Sequence, residues 1–99
     1  VRHAAVKVIF APLFGRYKTE RDRGRFVHGE ATGRTIWLDP RSSEIVKTAV
    51  HELLHLEHPS WSEAAVVTET ARRFKRMGWK EKARLLQMIG RGTIEGETT

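Results

Sequence analysis

From Glu44 to His58 the chain repeats apolar side chains at a helical period, with Ile45, Ala49, Leu53 and Leu56 on one line and Val46, Val50 and Leu54 beside it. Inside that helix lies His51-Glu52-Leu53-Leu54-His55, the pattern H-E-x-x-H. Any fold open to this chain must bury the apolar side of the helix and leave the two imidazoles facing a space that an ion can enter. Residues 51 and 55 stand roughly 40° apart around the axis and about 6 Å apart along it, so both rings can converge on one zinc ion. Glu52 is turned about 100° from His51, which suits a general base acting on a water that the ion holds.

A catalytic zinc takes three protein ligands and leaves a fourth position open. The candidates for the third are Glu57, His58, Glu63, Glu69, His28 and His3. On a straight helix His58 lies about 10 Å along the axis from His51, so it joins the pair only if the helix end unwinds before Pro59. Glu63 falls on the apolar side of the next helix with Val66, Val67, Ala71 and Phe74, where a carboxylate needs a partner and an ion would be one. Glu69 falls instead with Ala65, Arg72 and Arg76. Glu63 is therefore the preferred third ligand, against a competing role as the acidic member of a capping box, Ser60-Trp61-Ser62-Glu63.

The rest of the chain reads as α+β. Residues 4–10 form a β-branched strand ending before Pro12, and 25–30 and 34–38 form a hairpin around a three- or four-residue loop with Gly33. Asp39 or Ser42 is the expected N-cap of the motif helix, with Glu44 in its first turn. A helix from Ser60 to Met77 and a short one over 80–89 follow, the latter packing through Ala83, Leu85, Leu86 and Ile89. The expected architecture is a small antiparallel or mixed sheet of about three strands on an active-site helix, with a second, glutamate-bearing helix and a short C-terminal helix. Residues 1–90 form one domain and 91–99 a flexible tail.

Ninety-nine residues hold one small core, and with no cysteine the remaining staple is a metal. Arg2, His3 and Lys7 interrupt the first ten residues and no apolar run has signal-peptide or spanning length, so a soluble cytoplasmic protein with no membrane partner is expected. The formal charge is +6, clustered over 16–25 and 72–84. Such clusters are most often solvated faces, with non-specific nucleic-acid binding through the basic helices as the alternative.

The pentad, with Thr35-Ile36-Trp37-Leu38-Asp39-Pro40 before it and Pro59, Ser62-Glu63 and Gly78-Trp79 after it, resembles the zincin metallopeptidases. Within them it is similar to the gluzincin type and to minimal metallopeptidases of phages and bacteria. The resemblance covers about half the chain. It implies Zn2+ as cofactor, His51, His55 and Glu63 as ligands, Glu52 as general base and a peptide or protein as substrate. It also implies that Ile36, Trp37 and Leu38 form a sheet edge where an extended peptide binds by strand addition. The spacing from His55 to Glu63 is shorter than in large gluzincins, which keeps Glu69 beside Glu63 as a candidate. Tyr17, His28 and several arginines are candidate oxyanion donors. The expected function is a zinc-dependent endopeptidase of low or regulated activity. The alternatives are a nucleic-acid-associated module with structural zinc and an inactive interaction domain on a zincin fold.

Overall fold

The computed structural model describes residues 5–13 and 29–97. In chain order they form β1 (Lys7–Phe10), β2 (Gly29–Thr32), β3 (Thr35–Leu38), α1 (Ile45–Glu57), α2 (Glu63–Arg76), α3 (Trp79–Gly90) and β4 (Thr93–Ile94). The fold is α+β, three helices with a small mixed sheet in the order β2-β3-β1-β4. Residues 25–28, expected to begin the hairpin, and the basic cluster over 16–25 lie outside the described residues.

Alternation sets which side chains reach the core. β3 pairs antiparallel with β2 and parallel with β1, which places Ala31, Ile36 and Val8 side by side on one face, and Gly29, Leu38 and Phe10 beside them. Ile36, Leu38 and Val8 are buried there against Ala49, Val50, Leu53 and Leu54 of α1. Val66 of α2 and Leu85, Met88 and Ile89 of α3 complete the core. No helix among the described residues is long and apolar enough to cross a membrane.

Several local expectations are corrected. The hairpin loop is two residues, Gly33-Arg34, with Thr32 opposite Thr35. A positive φ of 64° at Gly33 and none at Arg34 fits a II′ turn, whose twist matches that of the strands. The motif helix begins only at Ile45, after Glu44, which makes no side-chain cap. Asp39 is fully buried and committed elsewhere: its carboxylate accepts from the Leu13 N–H at 2.9 Å and from the Arg41 N–H at 2.9 Å and Arg41 Nη2 at 2.8 Å. This residue ties the segment after β1 to the end of β3. Asp39→Ala strands the buried Leu13 amide, so a loss of roughly 1–3 kcal/mol is expected in urea unfolding, and Asp39→Asn, which retains an acceptor, should lose less.

The second helix also differs. Its N-cap is Ser62, whose Oγ accepts from the Ala65 N–H at 3.1 Å, so the Ser60–Glu63 capping box does not form. The buried positions of α2 are Val66 and Thr70, while Val67 and Ala71 point to solvent. Thr70 is accommodated because its hydroxyl donates to the Val66 carbonyl at 2.7 Å. In α3, Met88 rather than Leu86 is buried. The expected tail over 91–99 contains β4, paired parallel with β1 at Ile9–Thr93 and Phe10–Ile94. Backbone pairing to an open sheet edge leaves no periodic trace in a two-residue strand.

Candidate metal centre

His51 and His55 lie in the last two turns of α1, where the helix ends at His58, whose N–H donates to the Leu54 carbonyl. The connection from His58 to Ser62 is braced internally. The His58 ring stacks on Trp61 with centroids 3.8 Å apart and planes 6° from parallel, and the Trp61 N–H donates to the His58 carbonyl at 3.0 Å. That reversal starts α2 at Glu63, where a negative charge suits the helix N-terminus.

The consequence is convergence of three side chains. One Glu63 oxygen stands 2.6 Å from His51 Nε2 and the other 2.8 Å from His55 Nε2. The two Nε2 atoms are themselves 3.2 Å apart. Ligands bonded at about 2.0–2.1 Å to a tetrahedral zinc lie roughly 3.3 Å from one another, so the histidine pair is already at that separation. All three ligand atoms fall within 4.8 Å of one another, and the group could bind a metal ion. Two imidazoles and a carboxylate match zinc's preference for nitrogen and oxygen ligands. Glu63 is 61% exposed at its side chain, against 21% and 25% for the histidines, so the cluster opens to solvent on the α2 side.

Burial pushes the His51 pKa below the ordinary imidazole value, opposed by the facing Glu63 charge and reinforced by His55. A depressed folded value means that the unfolded chain binds the proton first as pH falls, so this contribution to stability is present above about 6.5 and is lost below it. Metal-free wild type should therefore lose more stability between pH 7.5 and pH 5.5 than His51→Asn does, as read by urea unfolding in chelator. Equal losses would contradict it.

The other candidate ligands are engaged elsewhere. Glu69 accepts from Arg72 Nε at 2.9 Å and Arg73 Nε at 3.2 Å, and the Arg72 bond, aided by Arg73, holds its pKa below the usual carboxylate value. Glu57 lies 3.5 Å from Arg73 Nη1, so Arg73 links the end of α1 to the last turn of α2. His58 is taken up by its stack on Trp61. His3, His28 and Tyr17 lie outside the described residues.

Glu52 is buried, 6% exposed, on the side of α1 that meets β2. A Cβ placed on Gly29 would stand 2.8 Å from both Cγ and Oε2 of Glu52, so the carboxylate rests directly on the strand backbone. A glycine inside a strand is the sequence signal of such a close approach, and Gly29 carries it.

The substrate edge expected at Ile36, Trp37 and Leu38 is not one. β3 is hydrogen-bonded on both sides, by β1 and β2, and Ile36 and Leu38 are fully buried core residues. The parallel pairing of β1 to β3 closes the edge that a lone hairpin would have left open. Among the described residues, the outer strand on this side is β2. No family model, curated protein or solved structure matches the chain.

Proposed function

We propose that this protein is a zinc-dependent endopeptidase. The observation that carries the reading is the meeting of His51, His55 and Glu63 on two consecutive helices, with Glu52 next in sequence to the first ligand. These three side chains would hold the ion, which when bound supplies Lewis acidity toward a water and a carbonyl. The chain's own work is done by Glu52, which accepts the proton of the attacking water and returns it to the leaving amine. Burial against Gly29 restricts that carboxylate to a narrow range of positions.

An extended peptide would add to β2, the outer strand among the described residues and the one that touches Glu52, rather than to β3. Its scissile bond is thereby brought along the same strand that fixes the base. Gly29→Ala tests this arrangement, because the added methyl cannot coexist with the present Glu52 position. Turnover should fall by about 10²-fold with zinc stoichiometry unchanged. Unaltered turnover would show that Glu52 works from elsewhere.

Cleavage of a denatured protein such as casein should appear with the zinc-loaded protein, disappear with chelator and return on adding Zn2+. Stoichiometric zinc without cleavage of any denatured substrate would overturn the enzymatic reading and leave a structural metal.

A further inference from the structure

Residues 69–91 contain eight Lys and Arg against two Glu, so this segment carries the whole of the chain's formal +6 while the remainder sums to zero. It comprises the second half of α2, all of α3 and the joint between them. Glu69 neutralises part of Arg72 and Arg73, but Lys75, Arg76, Lys80 and Arg84 have no carboxylate partner among the described residues. At the joint, a shallow pocket of about 200 Å³ is lined by Arg76, Met77, Arg72, Arg73 and the carboxylates of Glu69 and Glu81. Two residues beyond Met77, Trp79 projects with 76% of its surface exposed, and the Lys80 ammonium sits 5.6 Å from its ring centroid.

An exposed indole beside cations that lack carboxylate partners among the described residues matches a ligand that is both anionic and flat-faced. We propose that the α2–α3 joint binds single-stranded nucleic acid, with Trp79 stacking on an unpaired base and Lys75, Arg76, Lys80 and Arg84 engaging the flanking phosphates. A duplex hides its base faces from such a ring. A second copy of the chain would bring like charge against like charge. An anionic membrane is less well matched, because the large apolar side chains that α3 exposes are only Trp79 and Leu86, too narrow a face for an interfacial helix. This surface is separate from the His51, His55 and Glu63 cluster, so the inference does not depend on the peptidase reading.

The test is fluorescence anisotropy of a labelled 15-nucleotide oligothymidylate with the full chain, with and without chelator. Binding should not depend on the metal. With four phosphates engaged it should weaken about 50-fold between 50 and 200 mM salt. Trp79→Ala should weaken it roughly 5- to 150-fold, Trp79→Phe should restore most of the loss, and Arg76→Glu with Lys80→Glu should abolish it. Duplex affinity should be indifferent to Trp79→Ala. Circular dichroism on each variant verifies that the fold is retained. No binding at 50 mM salt, equal binding by wild type and Trp79→Ala, or binding to phosphatidylserine vesicles but not to the oligonucleotide would each overturn the proposal.

Discussion

Glu52→Gln should lower peptide hydrolysis by about 10²- to 10⁴-fold, the range attributable to one positioned general base, while zinc content and melting temperature stay close to wild type. The amide has nearly the same shape as the carboxylate and keeps an acceptor oxygen, so it can occupy the buried slot against Gly29. What it cannot do is take a proton from water. Because Glu52 is not among the three converging ligand groups, metal binding should survive. Hydrolysis assays beside metal analysis on the same preparations separate the two effects. Equal activity in the variant would remove Glu52 from the mechanism.

Glu63→Ala should lower zinc affinity by at least the 10- to 100-fold that even an outer-shell partner is worth, and the metal-dependent part of the thermal stability should vanish with it. The mechanical reason is that Glu63 is the only member of the cluster on α2, facing the two histidines of α1 at 2.6 and 2.8 Å. Without it the ion would have two protein ligands and would no longer fasten one helix to the next. Glu69→Ala is the matched control, since its carboxylate belongs to Arg72 and Arg73. That variant should keep wild-type zinc affinity. Competition with a chromophoric chelator gives both constants, and loss of zinc in Glu69→Ala with retention in Glu63→Ala would reverse the assignment.

The parts of this molecule governed by local periodicity were readable in advance. The pentad falls on a helix because seven apolar residues repeat around it, and Pro59 forces a reversal that returns Glu63 toward His51 and His55. Glu63 does stand with His51 and His55 in a group that could hold an ion, but helical periodicity places it wrongly. Glu63 is exposed rather than on a buried face, and Ser62, not Ser60, caps the helix. Two Ser candidates two residues apart satisfy the same local chemistry, and only the path of the connection decides between them.

What local pattern does not carry is contact between partners distant in sequence. Hairpin periodicity makes β3 look like an edge, because it reveals the pairing with β2 but not that with β1, which precedes residues 11–28 in the chain. An Asp before a helix usually caps it, whereas the Asp39 carboxylate accepts from nearby Arg41 and from the Leu13 N–H, 26 positions away. Gly29 had a legible oddity, a glycine within a strand, but the carboxylate resting on it comes from a helix more than twenty residues later.

The most direct measurement is zinc content of the purified protein together with an anomalous difference map collected at the zinc edge. One zinc per chain is expected, with its peak between His51 Nε2, His55 Nε2 and the Glu63 carboxylate. Absence of zinc after loading, or a peak that excludes Glu63, would contradict the proposed metal centre and the peptidase built on it.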